Sequence, residues 1–104
     1  MHRIATALLS SLVAVTVANT AALADAANGE KLARRWCASC HVVAADQRQG
    51  NTQASPFSAM AKLPDLDAGK LALYLLLPHP KMPDMNLSRS EAADLAAYIE
   101  TQGK

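Results

Sequence analysis

The segment Cys37-Ala38-Ser39-Cys40-His41 is the most informative stretch of this chain. Two cysteines stand three residues apart, and a histidine follows the second one directly. If the segment is helical, positions three and four apart lie on one face, so both sulfur atoms and the imidazole can face the same flat ligand. C-x-x-C-H is the spacing through which a protein attaches haem by two thioether bonds. We therefore predict that Cys37 and Cys40 hold one haem c covalently and that His41 binds its iron.

Three other uses of these residues are open to an exported chain. The two cysteines could form a disulfide, or they could carry out thiol exchange. Thiol exchange by a C-x-x-C motif is typical of a βαβ pattern, and no such alternation surrounds this motif. A zinc site could use Cys37, Cys40, His41 and His79, but a second paired cluster of ligands is missing. Haem is the interpretation that the motif favours.

The first 24 residues have the features of a secretory leader. Met1 to Arg3 is a short basic start, Ile4 to Ala18 is apolar apart from Thr and Ser, and Ala22-Leu23-Ala24 fits the small-x-small cleavage pattern. We predict a signal peptide over residues 1–24, a mature domain over residues 25–104 and a periplasmic location. An uncleaved anchor is the alternative, because the apolar stretch approaches the roughly 20 residues that span a bilayer.

Composition limits the size of the domain and the kind of partner. The chain has 104 residues, of which 51% are hydrophobic and 18% charged, which suits a single small domain. Loss of Arg3 with the leader leaves nine Lys plus Arg against nine Asp plus Glu, so the formal charge is zero. We therefore expect neither nucleic acid nor an anionic membrane surface as a partner, unless an uncleaved leader holds the chain at a membrane. So small a domain is marginal without a cofactor, and we expect the haem-free chain to be largely unfolded.

Hydrophobic spacing predicts an all-α fold of four or five short helices without a sheet. An amphipathic helix is expected over residues 28–39, with Gly29, Leu32, Ala33, Trp36 and Cys40 on one stripe. Residues 42–56 have the composition of a loop, and a short helix is expected over residues 57–62.

Two further helices carry clear end signals. Asp67 is a plausible N-cap for a helix that Pro78 ends, and apolar residues surround almost all of this helix, which predicts burial on several sides. The prolines at positions 78, 80 and 83 predict a rigid loop. Ser88 and Glu91 form a capping box for the last helix. Its expected inner stripe is Ala92, Leu95, Ala96 and Ile99, with Tyr98 at the edge.

A methionine is the expected second iron ligand, because a shuttling iron needs a sixth ligand that keeps oxygen and peroxide away. Met82 is the first choice, since Pro83 and the preceding proline-rich run make its loop stiff. Met85 is the alternative, followed by His79 or an open site. Met60 is expected to pack in the core.

Over nearly all of residues 29–99 the chain resembles the small bacterial class I cytochromes c. The matching segments are Gly29-x-x-Leu32-Ala33 before the Cys-Ala-Ser-Cys-His motif, Ser55-Pro56-Phe57, Pro80-Lys81-Met82-Pro83, Leu87-Ser88-x-x-Glu91 and Leu95-Ala96-Ala97-Tyr98-Ile99. The resemblance implies a cytochrome c-like fold of four to five short helices wrapped around one covalently bound haem.

The same resemblance implies roles for individual residues. Met82 matches the axial methionine, and Pro56 matches the position whose carbonyl accepts the other N–H of the proximal histidine. Gly29 is implied to let the first and last helices approach at Tyr98. The chain departs from the family at Ser55, where glycine is frequent, and in having a second methionine at position 85.

These observations predict an electron carrier and not an enzyme, with no catalytic residue. The iron is expected to alternate between its ferric and ferrous states while it serves redox proteins such as a dehydrogenase, an oxidase or another cytochrome. The protein is expected to be a monomer or one subunit of a hetero-complex. Two alternatives are a permanently bound haem c subunit of a periplasmic dehydrogenase or oxidase, and a haem sensor or peroxidase with a labile sixth ligand.

Overall fold

The computed structural model describes residues 13–16, 23–50, 53–77 and 81–104. Within these ranges the fold is all-α, as predicted, and has no strand. Its four helices are α1 (Ala26–Trp36), α2 (Phe57–Met60), α3 (Ala68–Leu76) and α4 (Arg89–Thr101). None of the helices in the described ranges is long and apolar enough to cross a bilayer.

Asp25 is the N-cap of helix α1, and its carboxylate accepts the N–H of Asn28 at 3.1 Å. The helix ends at Trp36, so the predicted end at residue 39, inside the C-x-x-C-H motif, was wrong. The reason is that the N–H of Ala38 bonds to the carbonyl of Ala33, five residues back, which interrupts the regular helical register. The motif instead forms a turn closed by the N–H of His41 and the carbonyl of Cys37, at 2.8 Å.

Helices α1 and α4 cross at very short range. A Cβ atom at Gly29 would overlap the Asp94 carbonyl and would lie 2.8 Å from Cβ of Tyr98, so only a hydrogen atom fits there. The close approach that the resemblance implied for Gly29 and Tyr98 is therefore present. Asp94 strengthens the crossing, because its two carboxylate oxygens accept the Asp25 N–H at 2.7 Å and the Asn28 side-chain amide at 2.8 Å.

Helix α4 supplies more of the buried core than any other described helix, namely five of its eleven hydrophobic residues. The Ser88 hydroxyl accepts the N–H of Glu91 at 3.1 Å, and the Glu91 carboxylate accepts the N–H of Ser88 at 3.0 Å, which completes the predicted capping box. The whole expected inner stripe is buried. Tyr98 was expected at the edge but is buried as well, because its ring packs edge-on against Phe57 and its hydroxyl donates to the Val43 carbonyl at 2.7 Å.

Helix α3 is less buried than its composition predicted. Asp67 caps it as expected by accepting the N–H groups of Gly69 and Lys70. Only Leu71 is buried, whereas Leu73 is 58% exposed and Leu77, which follows the helix, is 54% exposed. The physical reason is that α3 packs against α4 and against no other described helix, so a single stripe is covered. The predicted stop at Pro78 lies outside the described residues.

Candidate functional site

Two neighbouring cavities bring the predicted ligands together. The larger, of about 260 Å³, is lined by both motif cysteines and His41 together with Met82 and Met85. The smaller, of about 30 Å³, shares Cys37, His41 and Met82 with it, and core side chains from α2, α3 and α4 complete its wall. Four of the predicted site residues, Cys37, Cys40, His41 and Met82, thus face one cleft, together with the alternative Met85. His79 lies outside the described residues.

The imidazole of His41 is held in one tautomer. Its Nδ1 lies 2.6 Å from the carbonyl oxygen of Ser55. A carbonyl can only accept, so Nδ1 carries the proton and Nε2 keeps its lone pair. The ring of Phe57 lies against the imidazole, with 5.6 Å between the ring centroids. His41 is therefore oriented as metal-binding histidines are, with one nitrogen anchored and the other available.

The carbonyl that anchors His41 belongs to Ser55, not to Pro56 as the resemblance implied. The Pro56 carbonyl is already used at the start of α2, where it accepts the N–H groups of Ala59 and Met60, both at 3.1 Å. Pro56 still affects the contact, because a proline disfavours helical backbone at the residue before it and so favours an extended Ser55. Its contribution to the site is through backbone geometry.

The environment of the two thiols opposes the alternatives to haem. Both cysteines are free, Cys37 buried and Cys40 exposed. Burial raises the pKa of the Cys37 thiol to about 11, whereas thiol exchange depends on a thiolate with a lowered pKa. No three His, Cys, Asp or Glu side chains within the described ranges lie close enough together to hold a metal ion, which disfavours zinc there.

The two loop methionines occupy different environments. Met85 is only 8% exposed and belongs to the hydrophobic core, while Met82 is half-buried and lines both cavities. Lys81, just before Met82, has a φ of 72°, a left-handed conformation that costs a non-glycine residue about 1–2 kcal/mol. Asn86, just after Met85, is also left-handed, with a φ of 50°, so backbone conformation does not distinguish the two methionines. Both line the larger cavity, and Met82 lines the smaller one as well.

Gln47 stabilises the turn that carries the motif, although no sequence pattern marks this residue. Its side-chain NH₂ group donates to the carbonyls of Ala38 (3.0 Å), His41 (2.8 Å) and Gln49 (2.6 Å), and its amide oxygen accepts the N–H of Val43 at 2.8 Å. The residue lies in a loop without hydrophobic period, where nothing local distinguishes it from neighbouring polar residues. The Gln47 side chain thus links the segment that follows the motif to the motif through hydrogen bonds.

The backbone that follows His41 is fixed from two further directions. The Val42 carbonyl accepts the N–H of Phe57 at 2.9 Å, and the Val43 carbonyl accepts the hydroxyl of Tyr98 at 2.7 Å. Together with Gln47, these contacts tie the segment to α2 and α4. The position of His41 is therefore determined by the core and not by the turn alone.

An all-α fold in which a C-x-x-C-H turn and a methionine line the same cavities is typical of small proteins that bind haem covalently. The fit is chemical: two thiols, an imidazole with a free Nε2 and a thioether sulfur line the same space.

The comparisons identify the family within that class. Residues 26–103 match the family model of cytochrome c, and the chain belongs to the cytochrome c family. It is 52% identical over 89 residues to cytochrome c-552 of Bradyrhizobium diazoefficiens. These 89 residues are 85% of this chain and 86% of that protein. No solved structure matches the chain. The predictions of family, fold class and cofactor are confirmed: the cofactor is covalently bound haem c with its iron, and the protein is an electron carrier and not an enzyme.

Proposed function

We propose that this electron-transfer protein is an exported, periplasmic monohaem carrier with histidine and methionine as its axial ligands. The observation that carries the proposal is the shared cleft, in which His41 and Met82 line the same two cavities. The leader over residues 1–24 supports export, because its basic start, apolar run and small-residue end are those of a secretory signal.

Each site residue has one task in this proposal. When bound, haem c supplies an iron that gains and loses one electron. Cys37 and Cys40 would provide the sulfur atoms of the two thioether links, and Nε2 of His41 and the sulfur of Met82 would hold the iron. Ser55 keeps the proton of His41 on Nδ1, and Pro56 supports the extended backbone there. Met85 is the alternative sulfur ligand.

The surroundings favour the reduced state of the carrier. The smaller cavity is walled by apolar side chains from three helices, and a low-dielectric wall disfavours the extra positive charge of ferric iron. A thioether ligand acts in the same direction. We therefore propose a positive reduction potential, with water kept away by side chains such as Phe57, Leu71, Leu75, Leu95 and Ile99.

A permanently bound haem subunit of a dehydrogenase or oxidase is the second candidate. The observation that favours it is the exposure of apolar side chains along α3 and the segments beside it, namely Leu63, Leu73, Tyr74, Leu76 and Leu77. A free carrier would instead exchange electrons with such enzymes, or with another cytochrome, in brief encounters. Purification under mild conditions separates the two, because only the subunit elutes together with a larger chain.

The carrier proposal is tested on protein matured in a host with a cytochrome assembly system. We expect a reduced-minus-oxidised visible spectrum of c type and a haem stain that stays with the polypeptide on a denaturing gel. Met82→Ala should abolish the ferric sulfur-to-iron absorption band, while Met85→Ala, the matched control, should keep it. If the band survives both substitutions, methionine ligation is wrong and a labile sixth site becomes the better interpretation.

A further inference from the structure

The first residue of the folded domain is fixed by the last helix. Asp25 is the first residue of the described ranges that makes a hydrogen bond. Its backbone nitrogen donates to one carboxylate oxygen of Asp94 at 2.7 Å, and the other oxygen accepts the Asn28 side-chain amide at 2.8 Å. Leu23 and Ala24 are exposed. Within the described residues, the hydrogen-bonded part of the domain therefore begins at Asp25.

This structural boundary coincides with the cleavage site that the sequence predicts. We infer that a leader peptidase hydrolyses the bond between Ala24 and Asp25, and that the new terminal ammonium group forms an ion pair with Asp94. Water adds across the peptide bond, Ala24 leaves as a carboxylate with the leader, and the nitrogen of Asp25 gains protons to become a cation. The inference rests on the proposed export.

Cleavage would replace the hydrogen bond between the Asp25 amide and the Asp94 carboxylate by one between an ammonium group and that carboxylate. An amide N–H donates once, whereas an ammonium group donates three times and carries a full charge, which strengthens its bond to a carboxylate. A cation at the start of α1 would by itself be unfavourable, because the amino end of a helix is already positive. Asp94 from α4 and the Asp25 carboxylate offset that charge. Glu91, one turn earlier on α4, is hydrogen-bonded to Ser88 instead.

The ion pair would link the two helices that cross at Gly29. Asp94 then contacts α1 at three places: the terminal cation, the Asn28 amide and, through its own carbonyl, the Gly29 backbone. Asp94 lies in the middle of α4, next to the buried residue Leu95 and one turn before the buried residue Tyr98. Removal of the leader is thereby predicted to tighten the folded domain.

The experiment uses the full chain, exported and matured with haem. Intact mass and the sequence of the first peptide locate the new terminus, and competitive acetylation between pH 6 and 10 gives the pKa of its α-amino group. We expect the terminus at Asp25 and a pKa about half a unit above the ordinary 7.7–8.0. Asp94→Asn should return the pKa to that range, whereas Glu100→Gln, which removes an exposed carboxylate from the same helix, should not change it.

Different results would contradict the ion pair, the cleavage site and the electron-carrier function. A terminus at Asp25 whose pKa is ordinary in the unaltered protein overturns the ion pair, and this measurement needs no variant to fold. A retained leader, or a terminus elsewhere, overturns the cleavage site. Neither result removes the electron carrier, which is judged separately from the haem spectrum of the same preparation.

Discussion

His41 owes its orientation to backbone groups far from it along the chain. The Ser55 carbonyl fixes the proton on Nδ1, and the segment after His41 is held by Gln47, Phe57 and Tyr98. If His41 holds the iron as proposed, an imidazole fixed in this way would move little when the charge on the metal changes, and little reorganisation would accompany electron transfer. At the scale of single residues, hydrogen bonds to backbone carbonyl oxygens therefore position the side chains of the site.

Loss of the Gln47 side chain should weaken this arrangement. In Gln47→Leu the Ala38 and His41 carbonyls and the Val43 N–H lose their partner, which costs about 1–3 kcal/mol of the free energy of unfolding. Guanidinium unfolding of the haem-loaded protein, followed by absorbance, measures it. Gln49→Leu is the matched control, because that residue is exposed and contributes its backbone carbonyl. Equal losses in the two variants would contradict the role of Gln47.

Tyr98 should make the stability of the fold fall at high pH. Burial raises the pKa of its phenol, helped by the charges of Glu30 and Asp46. The unfolded chain therefore ionises first, near pH 10, so the free energy of unfolding decreases as the pH rises through the interval up to the raised pKa.

Comparison with Tyr98→Phe isolates this effect, since all other titrating groups are common to both proteins. The variant should be less stable near pH 7, where it lacks the hydrogen bond to the Val43 carbonyl, and the two stability curves should converge above pH 10. Curves that stay parallel up to pH 11 would show that Tyr98 ionises equally in the folded and unfolded chains.

At the scale of helices, the sequence predicted the capping residues better than it predicted how the helices pack. The caps at Asp67 and Ser88 are formed by residues two or three positions away, so the sequence shows them directly. The burial of Tyr98 and the anchoring of His41 depend on partners 55 and 14 positions away, which no local pattern contains. The exposure of α3 was missed because composition does not tell how many neighbours a helix has.

The crossing of α1 and α4 should be intolerant of any side chain at Gly29. In Gly29→Ala the new Cβ meets the backbone of Asp94, which cannot move without separating the helices. We expect a loss of about 3 kcal/mol in the free energy of unfolding, measured by denaturant titration of the haem protein.

Gly69→Ala is the control for this prediction, because a Cβ at that position meets only a carboxylate oxygen of Asp67, at 3.1 Å. Its effect should stay within about 1 kcal/mol and can be stabilising through the better helix propensity of alanine. A larger loss at Gly69 than at Gly29 would mean that the crossing is less tightly packed than its geometry indicates.

The described part of the chain has too small an apolar interior to fold securely without its cofactor. Its largest fully buried side chains are Leu95, Ile99 and Val43, and the first two line the smaller cavity together with Met82. A planar apolar group bound there would contact the core and Met82 together. The cofactor is thus part of the core.

Prevention of haem attachment should therefore unfold the chain. We expect Cys37→Ala with Cys40→Ala to give a colourless product with weak helical circular dichroism and no cooperative melting. Ser39→Ala, an exposed position inside the same motif, should remain coloured and folded. A haem-free product that melts cooperatively would show that the helices suffice by themselves.

Because α1 packs against α4, the domain cannot complete its fold until α4 is available. A polypeptide that is threaded through a membrane pore from its amino end delivers the C-x-x-C-H turn early and the thirteen residues of α4 last. Until those residues emerge, Gly29 has nothing to dock against. If the chain is exported as proposed, the motif is therefore still in an open chain when the enzymes that join haem to its cysteines reach it.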